Sequence, residues 1–188
     1  MIDQDEIRKA VTSIIRAIGE DPKREGLVDT PKRVAEMYAE LFSGLDKDPR
    51  EELMVGFEEG YREMVVLRDI PFYSMCEHHL LPFYGVTHIG YIPDDSGRVV
   101  GASKLARVVE IVARRPQLQE RMTSQIADDI VAGMNPTGVG VVIQAEHLCM
   151  VMRGIKKPGS TIVTSAVRGS FQSKSKTRAE FFSLLQSK

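Results

Sequence analysis

The sequence predicts an α+β domain, and three observations carry that prediction. Apolar residues recur at helical spacing near both ends and in the middle of the chain, and β-branched runs fall between those blocks. The resulting order, helices, strands, helices, strands, favours mostly antiparallel pairing over alternating parallel units. With 188 residues, 43% of them hydrophobic, the chain has enough apolar material for one core. We find no repeat, low-complexity tract or long linker. The expected organisation is therefore a helical region over residues 1–45 and a core over residues 46–188, together one structural unit.

Residues 3–18 place Ile7, Ala10, Val11, Ile14, Ile15 and Ile18 on one helical stripe, with Asp3 and Glu6 spaced as a capping pair and Gly19 as a stop. Thr30-Pro31 opens a second helix, because proline in the first turn forfeits no helical hydrogen bond. Val34, Met37 and Leu41 supply its stripe and Gly44 its end. Residues 64–70 and 84–92 read as strands, residues 94–97 as a turn and residues 98–100 as a short returning strand. Ser103 is expected to cap a helix with Leu105, Val108, Val109 and Val112 on its apolar face. Pro116 ends it before another helix bearing Leu118, Met122, Ile126 and Ile130, closed by Asn135, Pro136 and Gly138. Residues 139–153 read as one long strand, residues 161–167 as its partner, and residues 176–185 as a final helix. His88, on the strand over residues 84–92, is read as structural.

Charge and composition exclude some classes of function. Twenty-five basic and 26 acidic residues nearly cancel, so no overall field draws the chain to nucleic acid or to an anionic membrane. Any anion has to be gripped by a local cluster. The opening MIDQDEIRKA lacks the basic start and apolar stretch of a secretory signal, and no run approaches the roughly 20 apolar residues of a membrane span. A cytoplasmic protein is expected. There, the two cysteines, Cys76 and Cys149, are expected to be free or metal-bound rather than paired.

All four histidines and both cysteines fall between positions 76 and 149. Cys76 and His79 have the C-x-x-H spacing that lets a tight turn aim two donors at one cation. If residues 139–153 are extended, alternation puts His147, Cys149, Val151 and Arg153 on one face of the strand. Singly, Cys149 reads as a small buried hydrophobe and His147 as a core histidine. Together with Cys76 and His79 they read as a metal site. Cys76, His79 and Cys149 would give three ligands and one open position, the pattern of a catalytic zinc. Zinc can lower the pKa of a bound water from about 15.7 to about 7, which makes a hydrolytic nucleophile available at neutral pH. Spacing leaves open a closed Cys2His2 site, with His78 or His147 as fourth ligand.

Ser103, Lys104 and Arg107 follow Gly101 at the start of a helix, where unpaired N–H groups and two cations on one face suit a polyphosphate. The same residues also suit an ordinary cap and a solvated face. Arg153 adds another cation, and Gln119 and Glu120 open the next helix.

Five ordered blocks then carry a likeness to a known family. They are Ser74-Met75-Cys76-Glu77-His78-His79-Leu80-Leu81-Pro82-Phe83, Gly101-Ala102-Ser103-Lys104-Leu105-Ala106-Arg107, Arg115-Pro116-Gln117-Leu118-Gln119-Glu120-Arg121-Met122-Thr123, Ala145-Glu146-His147-Leu148-Cys149-Met150 and Met152-Arg153-Gly154. In order and spacing the chain resembles GTP cyclohydrolase I over about residues 30–185. The resemblance implies zinc on Cys76, His79 and Cys149, with His78 and His147 as proton-transfer residues. It implies that Glu120, with the backbone near Gln119, reads the guanine edge, since a carboxylate accepts from both N1–H and the 2-amino group. Ser103, Lys104, Arg107 and Arg153 would hold the triphosphate, with Arg33 a weaker candidate. The implied reaction uses water to open the imidazole ring of GTP at C8, releases formate, and rearranges the ribose to give 7,8-dihydroneopterin triphosphate, the first step of folate-directed pterin synthesis. The implied fold is a T-fold assembled into a homodecamer with active sites between subunits. A nucleotide deaminase is disfavoured, because its H-x-E and P-C-x-x-C pattern is absent. A zinc-stapled binding module is the non-enzymatic rival.

Overall fold

The computed structural model describes residues 2–186. Helix α1 (Gln4–Ala17) starts where the Asp3 carboxylate accepts from the amides of Asp5 and Glu6, at 3.1 and 3.0 Å. This satisfies two N–H groups that a helix start leaves without partners. Helix α2 (Thr30–Leu41) begins with Pro31 in its first turn, as expected. Arg114 ties this helical region to the rest by donating to the carbonyl of Glu40, and Arg115 by donating to those of Gly44 and Lys47.

A 3-10 turn over Pro49–Leu53 leads to strand β1 (Gly56–Glu58). Strands β2 (Val65–Cys76) and β3 (Pro82–Ile92) form the central hairpin, β4 (Arg98–Val100) returns, and α3 (Ala102–Ala113) follows. After β5 (Pro116–Gln117) come α4 (Gln119–Met134), β6 (Gly138–His147), α5 (Leu148–Val151), β7 (Ile162–Gly169), α6 (Ser170–Ser173) and α7 (Ser175–Gln186). The main sheet runs β5-β2-β3-β6-β7. Its pairs are antiparallel apart from β2 with β5, which is parallel. The α+β expectation therefore holds.

Helices α3 and α4 cover one face of the sheet. Leu105, Val108, Met122, Ile126 and Ile130 pack there with Phe72, Phe83, Ile89, Tyr91, Val141 and Ile143 in one core. On the opposite face the Phe171 and Phe181 rings meet edge to face at 5.3 Å. The register pair Gly90 and Gly140 makes room for them, since a Cβ on Gly90 would lie 2.6 Å from the Phe181 ring. Among the described residues, no helix is long and apolar enough to cross a membrane.

Several expected boundaries are corrected. The strand expected over residues 139–153 stops at His147. Its last rung pairs His147 with Phe83, next to Pro82, which has no N–H to continue a ladder, and the chain coils into α5. Cys149 and Arg153 are therefore not on the extended face that alternation suggested. Ser103 is not the cap of α3: Gly101 holds that position, and Ser103 sits exposed in the first turn. Strand β2 continues past Pro71 to Cys76, because Pro71 follows a bulge between Leu67 and Ile70 and β5 pairs only with Met75 and Cys76. Strand β4 pairs with β1 in a separate two-stranded sheet.

Candidate active site

The site is built where the hairpin turn, α5 and the start of α4 meet. The turn after Cys76 is tight: the Cys76 carbonyl accepts from Leu80 N at 2.9 Å, and Cys76 N donates to Leu81 O at 2.9 Å. Leu80 takes φ of 50°, the left-handed region that branched side chains seldom occupy. This folding points His79 back towards Cys76. One turn of α5 carries Cys149 to the same place, so that a ligand atom from each of Cys76, His79 and Cys149 lies within 4.8 Å of the others. The three-donor grouping expected from the sequence is thus present, although a helical turn, and not strand alternation, delivers Cys149.

Cys76 is buried and Cys149 half-buried, and neither forms a disulfide. Burial, then the adjacent Cys76 sulfur, pushes the Cys149 thiol above its ordinary pKa. Two such sulfurs and an imidazole suit a borderline-soft divalent cation, which would favour thiolates here. Bonds of about 2.0 to 2.3 Å put neighbouring donors of a tetrahedral zinc roughly 3.5 Å apart, a separation that this grouping can accommodate. Arg153 Nη1 lies 3.0 Å from His79 Nε2, at the rim of the same cluster.

A cavity of about 240 Å³ opens beside the two cysteines. Its lining includes His78, Gln119, Glu120 and His147, so four of the expected residues share one hollow with Cys76 and Cys149. A larger hollow of about 490 Å³ lies elsewhere, among Asp48, Arg50, Arg115 and Asp129, with neither sulfur nor imidazole in its wall. Donor chemistry, not volume, therefore selects the site.

His147 is held on two sides. Its ring stacks on Phe83, with centroids 4.6 Å apart and planes within 6°, and its Nε2 lies 2.8 Å from Gln119 Oε1. The amide orientation follows from a closed circuit. Thr123 Oγ1 donates to Gln119 O at 2.7 Å, so Thr164 Oγ1, 2.6 Å away, must donate to Thr123 and can accept from Gln119 Nε2 at 3.1 Å. The same nitrogen faces the carbonyls of Ile143 and Ile162. Gln119 therefore turns its oxygen to His147, whose Nε2 donates, and in the neutral ring Nδ1 keeps a free lone pair. Burial lowers the His147 pKa, opposed by the Glu120 charge, which favours that neutral form. Because the Gln119 side chain is turned wholly inward, only its backbone remains for a ligand in the cavity.

Arg121, the third residue of α4, extends this positioning to the metal turn. It pairs with the Glu77 carboxylate and donates to Gln117 Oε1 and Pro116 O, while Gln117 is itself fixed to Val112 O and Gln125. That pairing holds the Glu77 carboxyl below its ordinary pKa. Sequence reasoning missed the roles of Arg121, Phe83, Thr123 and Thr164. The first three stand inside the quoted blocks, but their partners are long-range and no local spacing marks them.

Ser103, Lys104 and Arg107 do not line this cavity. Lys104 and Arg107 instead share Glu52, at 3.0 and 3.5 Å. Arg33 is exposed and pairs with Asp29.

Comparison with known proteins identifies the family. The sequence profile of the family described as GTP cyclohydrolase I matches residues 7–186. The chain is 66% identical to "GTP cyclohydrolase 1" of Dehalococcoides mccartyi over 188 residues, with 100% of both chains covered. It is 59% identical to the protein of the same name from Thermoanaerobacter pseudethanolicus, again with 100% of both covered. With that of Carboxydothermus hydrogenoformans the identity is 63%, covering 98% of this chain and 96% of the relative. A match across nearly the whole length, joined to a Cys, His, Cys cluster opening on a cavity with two more histidines and a glutamate, places this chain in the GTP cyclohydrolase I family of enzymes.

Proposed function

We propose that this chain is a zinc enzyme that opens the imidazole ring of GTP with water, releases C8 as formate and rearranges the remainder to 7,8-dihydroneopterin triphosphate, the entry step to tetrahydrofolate. The observation that carries the proposal is the meeting of Cys76, His79 and Cys149 beside a cavity that His78, His147 and Glu120 line together with the two cysteines. Cys76, His79 and Cys149 would hold zinc, which when bound supplies Lewis-acid activation of water. Glu120 binds the guanine edge by accepting from N1–H and the 2-amino group. His147 takes a proton at Nδ1, the nitrogen that its Gln119 bond leaves free. His78, exposed on the metal turn, is the second proton carrier, suited to the ribose opening and ring closure that follow.

Arg153, at His79, is within reach of a triphosphate extending from the cavity. Ser103, Lys104 and Arg107 lie apart from the cavity within one chain, which supports a site completed by a neighbouring subunit. We accordingly favour a T-fold homo-oligomer, a decamer, with Ser103, Lys104 and Arg107 holding the triphosphate of a substrate bound at the metal site of the adjacent copy. The test is direct: purified protein with GTP should release formate and give a product that fluoresces like a pterin after oxidation. Stoichiometric zinc without turnover would instead mark a structural metal module.

A further inference from the structure

The 3-10 turn Pro49–Leu53 is anchored firmly. Leu53 is fully buried, and Arg98 donates to the carbonyls of Leu53 and Met54, each at 2.9 Å. Glu52, immediately before this buried side chain, is thereby held against α3. Its Oε2 lies 3.0 Å from Lys104 Nζ and 3.5 Å from Arg107 Nη1, so one carboxylate oxygen serves two cations. The Glu52 and Lys104 side chains are 25% and 26% exposed, while Arg107, at 62%, faces outward with donors to spare. The bond from Lys104 keeps the Glu52 carboxyl below its ordinary pKa, so the charge persists at neutral pH.

We propose that Glu52 is a built-in counter-anion of the Lys104 and Arg107 pair, holding both cations in place and weakening their grip so that a triphosphate binds reversibly. This rests on the reading that Lys104 and Arg107 hold the triphosphate. Two opposed effects set the sign of its removal. Glutamine in place of Glu52 keeps the shape and an acceptor oxygen for Lys104, so little positioning is lost, and a part-exposed ion pair is worth little in itself. A polyphosphate, by contrast, carries several negative charges, each repelled by the carboxylate over a short distance. The charge effect wins, and the neutral variant binds more tightly.

The experiment is calorimetric titration of inorganic tripolyphosphate into the full-length protein, for wild type, Glu52→Gln, Glu52→Ala, Glu52→Asp and Lys104→Met. Glu52→Gln should lower Kd about ten-fold at low salt, with the gain fading towards 1 M salt, where screening acts over about 3 Å. The KM for GTP should fall in parallel, with zinc content unchanged. Glu52→Ala should move Kd in the same direction and decides the matter if the glutamine variant does not fold. Glu52→Asp, which keeps the charge, should stay within about threefold of wild type. An unchanged or raised Kd in folded Glu52→Gln, or equal tightening in Glu52→Asp, overturns the proposal. If Lys104→Met leaves tripolyphosphate binding intact, the phosphate-binding reading itself has failed, a separate result.

Discussion

Gln119 illustrates how a side chain turned away from a cavity can fix the tautomer of one that lines it. Its buried amide joins three acceptors on one end and the His147 ring on the other. Gln119→Ala strips partners from several buried groups at once, and each group left unpaired costs about 1 to 3 kcal/mol. We expect a lower melting temperature, a roughly hundredfold loss of kcat from the freed imidazole, and zinc content equal to wild type. Full activity in that variant would show that Phe83 stacking alone aligns His147. The cysteines and the exposed histidine should separate in the opposite way. Cys149→Ser should lose both zinc, read by elemental analysis, and ring opening, read by formate release. His78→Ala should keep the zinc and lose turnover by about 10² to 10⁴, the usual worth of a positioned proton carrier. Zinc loss in His78→Ala would mean that the ligand set is misassigned. For Glu120→Ala, the preference for GTP over ATP should vanish, because adenine lacks the paired N1–H and 2-amino donors that a carboxylate accepts.

Strand β2 carries a histidine contact that belongs to the sheet and not to the cavity. At its bulge Asp69 adopts φ of 57°, and its backbone N–H donates to His88 Nδ1 at 3.1 Å. Burial lowers the His88 pKa from its ordinary 6.5, with the Asp69 carboxylate, 3.9 Å away, opposing and Arg68 assisting. A histidine whose pKa is depressed on folding binds fewer protons folded than unfolded, so its contribution is complete above pH 6.5 and is lost as pH falls through the lower folded value. Melting temperature should therefore drop in acid more steeply for wild type than for His88→Gln, and parallel curves would remove the role. His88 was readable as structural from its place on an apolar strand, but the bulge that gives it a partner was not, since Arg68-Asp69 carries no glycine to announce a left-handed residue. The same limit explains the errors at Cys149 and β5. Leu148-Cys149-Met150-Val151 is a short apolar run with no period long enough to separate strand from helical turn, and Pro116-Gln117 pairs through only two residues. Helix starts marked by chemistry, Asp3 before α1 and Pro31 in α2, were readable because the signal lies within one turn.

The single chain leaves much apolar surface in water. Ile14 of the first helix and Ile18 just after it are 59% and 71% exposed, and Tyr73 and Val163, on the sheet, are 70% and 61% exposed. Tyr73 and Tyr84 stack there on each other, 5.9 Å apart. Surfaces of this kind ordinarily meet another protein surface, and copies of the same chain are the economical partner. The location of the cations sharpens the point, because Lys104 and Arg107 do not line the cavity that holds the cysteines. If each site takes its metal ligands from one subunit and its phosphate cations from the next, two inactive chains can repair one another. Cys149→Ser lacks the metal and Lys104→Met the cation, so each expressed alone should be nearly inactive. Co-expressed in equal amounts and mixed at random, they should give about a quarter of wild-type sites, because a working site needs an intact ligand set from one neighbour and an intact lysine from the other. The zinc content of the mixture should be near half, since only the Lys104→Met chains carry the full ligand set. Light scattering should confirm one large assembly, a multiple of the 21.0 kDa chain, for both variants and the mixture. Sites confined to one chain predict no recovery at any mixing ratio, and that outcome would end the shared-site account while leaving the metal assignment intact.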